Sequence, residues 1–107
     1  MSSTPDTFHR IAPVSDIPPG KMRCFEIEGT PILVCHTREG FFAVANICTH
    51  AYAHLDEGRL RGFRLICPLH GAAFDVRSGN VLGAPATQAL HTYPLRVTDE
   101  HVEVALV

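Results

Sequence analysis

Four residues in this sequence are of types that bind soft or borderline metals, and they occur as two short pairs. Cys48 and His50 stand two apart in NICTHAYAH, and Cys67 and His70 three apart in LICPLHGAAFD. Thiolate and imidazole are the protein donors of zinc, copper and iron–sulfur centres. Small or turn-forming residues surround each pair: Thr49 and Ala51 in the first, Pro68 and Gly71 in the second. Each pair therefore fits a loop at the end of a strand, where ligands close in sequence converge at small entropic cost. The 16 residues between His50 and Cys67 suffice for a hairpin that sets the two loops side by side.

Three centres use this donor set differently. A tetrahedral zinc site takes two Cys and two His, but its usual order is Cys, Cys, His, His with a helix carrying the histidines. A mononuclear copper site needs one Cys, two His and a weak axial ligand, which leaves a second Cys without a role. A [2Fe-2S] cluster with two Cys on one iron and two His on the other uses all four.

The elements that must position these loops read as strands. RCFEI and PILVCHT flank a turn at Glu28-Gly29-Thr30, and a second turn at Arg38-Glu39-Gly40 leads into FFAVANI and the first pair. DEGRLRGFRLIC reads as two short strands around Arg61-Gly62. AAFDV and VLGAP follow the second pair, separated by a turn at Arg77-Ser78-Gly79-Asn80. TYPLRVT and HVEVALV close the chain as a hairpin around Asp99-Glu100, with Val102, Val104 and Leu106 pointing inward. No long stripe of helical period is present, so the fold class is all-β and antiparallel, a small sandwich or barrel.

Composition narrows the function. At 107 residues the chain is one domain, and a formal charge of -2 without a basic cluster excludes a nucleic-acid module. The segment MSSTPDTFHR is polar, and no run approaches the roughly 20 apolar residues of a membrane span. The expected compartment is the cytoplasm, where cysteines bind metal more often than they form disulfides. A two-residue turn at Gly29-Thr30 would set Cys24 opposite Cys35, yet buried free thiols are expected there.

Cys48-Thr49-His50 and Cys67-Pro68-Leu69-His70-Gly71 resemble the two boxes of Rieske iron–sulfur proteins, C-x-H and C-x-x-H about sixteen residues apart. The similarity continues through Phe74-Asp75, Ser78-Gly79 and Gly83-Ala84-Pro85, where the family has a proline-containing cover loop. It implies a single Rieske [2Fe-2S] domain over 1–107 with a cluster-binding subdomain at about 46–85. It also implies that Cys48 and Cys67 hold the inner iron and His50 and His70 the outer one. Four residues depart from the quinol-oxidising branch of the family. Ala53 and Leu69 stand where that branch has a disulfide, and Ala72 and Phe74 where it has Ser and Tyr hydroxyls near sulfur.

Hydroxyl donors stabilise the reduced, more negative cluster most, so their loss lowers the potential. At roughly 1.5–3 kcal/mol per charge-assisted bond, two such bonds account for about 100 mV or more at the upper end, since only the difference between redox states counts. The resemblance then implies a low-potential one-electron carrier, similar to the ferredoxins of bacterial aromatic-ring dioxygenase systems. Such a monomer takes electrons from a flavin-dependent reductase and delivers them to a terminal oxygenase, with no catalysis of its own. The alternatives are a small Rieske subunit of a larger oxidoreductase such as nitrite reductase, and a Cys2His2 zinc module. His9, His36, His91 and His101 lack ligand spacing. His54 with Asp56 reads as a solvated loop pair, and Arg59, Arg61 and Arg64 as a solvated hairpin, with a docking patch as the alternative. Tyr52 would either cover the cluster or touch a partner.

Overall fold

The computed structural model describes residues 7–49, 52–69 and 71–107. In chain order the strands are β1 (His9–Pro13), β2 (Met22–Ile27), β3 (Thr30–Thr37), β4 (Gly40–Ala45), β5 (Arg59–Arg61) and β6 (Arg64–Ile66). They continue as β7 (Ala73–Asp75), β8 (Val81–Gly83), β9 (Thr92–Tyr93), β10 (Leu95–Thr98) and β11 (His101–Val104). Among the described residues they form three antiparallel sheets, ordered β2-β3-β4-β9, β1-β11-β10 and β5-β6-β7-β8.

The β2-β3-β4-β9 sheet is the platform, because both of its faces are covered. Successive strand residues point to opposite faces. Ile32, Val34 and Ala43 pack with Ile17, Ile27, Val102 and Val104 in one core. Leu33, Cys35 and Val44 pack with Leu55, Leu65 and Phe74 in the other, which also contains Cys48 and Cys67. Burial on both sides explains why β3 carries the unbroken apolar run Ile32-Leu33-Val34-Cys35 rather than an alternating pattern.

Three features differ from the reading of the sequence. The turn between β2 and β3 is Glu28-Gly29, both at positive φ (49° and 81°), with Ile27 opposite Thr30. That register places Cys24 opposite Leu33 and Cys35 opposite Met22, so the two cysteines are diagonal and both thiols are free. TYPLRVT is two strands, not one. At Pro94, which lacks an N–H, the chain leaves β4 (the partner of β9) and joins β11 (the partner of β10). The segment His9–Pro13, to which the sequence assigned no strand, is also a strand, β1, which completes the sheet on the other side of β11. Val102 and Val104 are buried as the alternation implies, whereas Leu106 lies beyond β11 and is only half-buried.

The register of that terminal sheet places Glu103 opposite both Arg10 and Arg96. Arg96 Nε donates to its Oε1 at 2.7 Å and Arg10 Nε to its Oε2 at 2.9 Å, around a carboxylate that is itself buried. These bonds, Arg96's first, hold the Glu103 carboxyl below the usual glutamate range. A lowered folded value means the stabilisation is present at neutral pH and is lost as pH falls through it. Glu103→Gln is expected to melt below wild type at pH 7, with the gap closing as pH falls below the usual glutamate range. Thermal unfolding across that range checks this; a gap that stays constant refutes it.

Candidate metal centre

Two loops at neighbouring strand ends are closed in the same way. After β4, the Cys48 N–H donates to the Ala53 carbonyl at 2.9 Å, inside a bridge between Ile47 and His54. After β6, the Cys67 N–H donates to the Ala72 carbonyl at 2.7 Å, inside the Ile66–Ala73 pair. Each box is thus a six-residue loop whose first residue is the cysteine. C-x-H and C-x-x-H differ only in where the histidine falls within equivalent loops.

This closure brings the two cysteines together. Both are buried, and their side chains hydrogen-bond to each other. Burial pushes the Cys67 thiol up, the Leu69 N–H donating to its sulfur opposes this, and the adjacent Cys48 thiol adds to the rise. His50 and His70, the other two expected ligands, lie outside the described residues, as does Ala51.

The donor set fits an iron–sulfur cluster. Two buried sulfurs in contact cannot both be thiolates unless positive charge lies beside them, and ferric iron supplies it. The other two cysteines lack this arrangement. Burial raises the Cys35 thiol to about 12. Burial, and then the charges of Asp56 and Glu26, raise Cys24, while a backbone hydrogen bond with Ile32 opposes this. Both remain thiols at neutral pH, as structural cysteines do.

Several residues that fasten the loops carry no ligand chemistry. Asn46, buried two residues before Cys48, donates from Nδ2 to Asp56 Oδ1 and accepts from the Asp56 N–H, both at 2.9 Å. Its carbonyl also accepts from the Leu55 N–H at 2.7 Å. One amide therefore ties both ends of the first loop; its signal in the sequence was a polar residue inside an apolar strand. Thr49 donates its hydroxyl to the Gln88 carbonyl at 2.6 Å, joining the first loop to the segment after Gly83-Ala84-Pro85. At Gly58, an added Cβ would overlap the Ile66 carbonyl, one residue before Cys67. A Cβ there would push the second loop away.

The remaining predicted residues fall as follows. Ala72 and Phe74 are fully buried in the cluster-side core and present no hydroxyl to Cys67. Ala53 is buried and Leu69 exposed, with no thiol at either position. Tyr52 is 86% exposed, so it does not cover the site; its ring stands edge-on to His54 at 6.2 Å. Asp56 is occupied by Asn46. Among the described residues, no group of three His, Cys, Asp or Glu forms a further metal site.

The Rieske [2Fe-2S] domain family matches residues 7–94. The chain belongs to that family. It carries electrons on a Rieske-type [2Fe-2S] cluster, and the zinc reading falls. The naphthalene 1,2-dioxygenase ferredoxin component of Pseudomonas aeruginosa is 35% identical over 85% of this chain and 88% of its own. The biphenyl 2,3-dioxygenase ferredoxin component of Rhodococcus jostii is 38% identical over 91% of each. Among solved structures, the ferredoxin of carbazole 1,9a-dioxygenase from Nocardioides aromaticivorans is 30% identical with a TM-score of 0.89, covering 94% of this chain and 98% of that one. A second, from the complex of reduced oxygenase and oxidized ferredoxin in carbazole 1,9a-dioxygenase, is 34% identical with a TM-score of 0.85, covering 90% and 99%. Among the described residues, no helix is long and apolar enough to cross a membrane.

Because Asn46 satisfies both the N–H and the carboxylate of Asp56, Asn46→Ala is expected to cost about 1–3 kcal/mol of stability. It should also speed loss of the cluster's visible absorbance under denaturant. An unchanged unfolding midpoint would show that the first loop does not depend on this amide.

Proposed function

We propose that this chain is the ferredoxin component of a multicomponent aromatic-ring dioxygenase system, a low-potential monomeric carrier between a flavin reductase and a terminal oxygenase. The observation that carries this reading is the contact between Cys48 and Cys67 in two equivalently closed loops. The 35% and 38% identities to ferredoxin components, each running through most of both chains, support it. Residues 46–85 act as the cluster-binding subdomain. Free Cys24 and Cys35 thiols are compatible with a cytoplasmic setting.

The cluster, when bound, stores one electron at a time. Cys48 and Cys67 would hold one iron and His50 and His70 the other. The surrounding chain tunes and shields it. Leu69 gives Cys67 sulfur a backbone hydrogen bond, which favours negative charge there. Ala72 and Phe74 withhold further donors, and the buried face of Phe74, Leu65 and Leu55 keeps water from the cysteine side.

The test has two parts. A redox titration should place the midpoint near the low end of the Rieske range, about -150 mV. Single-turnover mixing should show the protein reduced by a flavin reductase with NADH and reoxidised by the oxygenase, with ring hydroxylation dependent on its presence. A midpoint well above zero, or hydroxylation at the same rate without it, contradicts the proposal.

A further inference from the structure

The chain's nine Lys and Arg residues are unevenly used. Arg10, Arg23, Arg77 and Arg96 each pair with a carboxylate, and Arg38 lies over the Phe63 ring at 5.2 Å. The remaining four, Lys21, Arg59, Arg61 and Arg64, are exposed, have neither kind of partner among the described residues and gather around β5.

Register places three of them on one face. Arg59 is opposite Ile66 and Arg61 opposite Arg64, while Leu60 and the buried Leu65 face the core between them. Arg64 then reaches across β7. Its Nη2 sits 3.1 Å from where a Cβ on Gly83 would stand, and Gly83 pairs with Ala73, which pairs with Ile66. Arg59 therefore stands in the row that immediately precedes Cys67, and the Arg64 guanidinium reaches the same row at Gly83. Arg59 also lines a cleft of about 270 Å³ with Cys67, Pro68 and Gly71, and Lys21 and Arg61 line a second of about 270 Å³ alongside. Local acids leave the face positive. Glu57 shares the first cleft, but Asp75, opposite Arg64, is held by Arg77, and Asp56 by Asn46. The neighbouring loops expose Tyr52 and Leu69 (86% and 45%), an apolar centre beside a cationic rim.

We infer that the outer face of β5 and β6 is a docking rim for carboxylates on the terminal oxygenase, steering it onto the end that carries Cys48 and Cys67. This rests on the carrier reading above; the arginines are on the exposed hairpin expected from the sequence, and the docking patch was its alternative. Unpaired guanidinium groups accept carboxylates bidentately without first breaking an internal ion pair, and a local positive field speeds encounter.

The test is stopped-flow oxidation of the reduced holoprotein by the terminal oxygenase that it supports in turnover, at increasing ionic strength. The double variant Arg59→Gln/Arg64→Gln should slow the second-order rate roughly three- to tenfold at low salt and flatten its salt dependence. The matched control Arg23→Gln, on the face of β2 that shares a core with Val34, should change little. Cluster absorbance confirms that each variant is intact. Unchanged oxidation in the double variant overturns the inference while leaving the carrier reading standing. Loss confined to reduction by the reductase overturns the oxygenase as occupant. No oxidation of wild type at any salt defeats the carrier reading itself.

Discussion

Two cysteines, Cys48 and Cys67, are buried beside each other, and the proposed cluster site depends on their meeting. Cys48 and Cys67 come from loops 19 positions apart in the sequence, so nothing local enforces their meeting. The two backbone closures enforce it, from Cys48 to Ala53 and from Cys67 to Ala72, each anchored at a strand end. With the loops fixed, bound iron would supply the positive charge that two buried thiolates need. The same burial that makes the pair costly without metal makes the cysteine side dry with it.

The rest of the molecule serves that constraint. The middle sheet is covered on both faces, so its β4 strand delivers the first loop from a rigid support. Fully burying a side chain such as Phe74 or Leu65 contributes about 1.5–3 kcal/mol each, set against the ordering of two irregular loops. The terminal sheet contributes at a distance, through its core and the Arg10–Glu103–Arg96 network. Polar contacts at the loops, from Asn46 and Thr49, set position rather than chemistry.

Much of this was legible in the sequence because ligand spacing and strand pattern are local signals. The two boxes, the hairpins around β5–β6 and β10–β11, and the missing hydroxyls at Ala72 and Phe74 could all be read directly. Other features depended on what lies across the sheet. Cys24 and Cys35 were misaligned because a turn shifted by one residue moves every cross-strand partner. Strand β1 was missed because its short segment, ending at Pro13, acquires meaning only beside β11. Pro94 hides a change of sheet inside one apparent strand. Asn46 is an ordinary amide until Asp56 folds back upon it. The exposed arginines of β5 and β6 were legible as a charged hairpin, but that the chain's other described cations are paired could be seen only in the structure.

On the proposed ligand set, one centre takes its four ligands from Cys48, His50, Cys67 and His70. Pulsed electron paramagnetic resonance on the dithionite-reduced protein, with its histidines labelled with ¹⁵N, tests this most directly. A mixed Cys/His cluster should give an average g-value below that of a four-Cys cluster, with hyperfine coupling to two histidine nitrogens. A silent sample, or a cluster spectrum without histidine coupling, would contradict it.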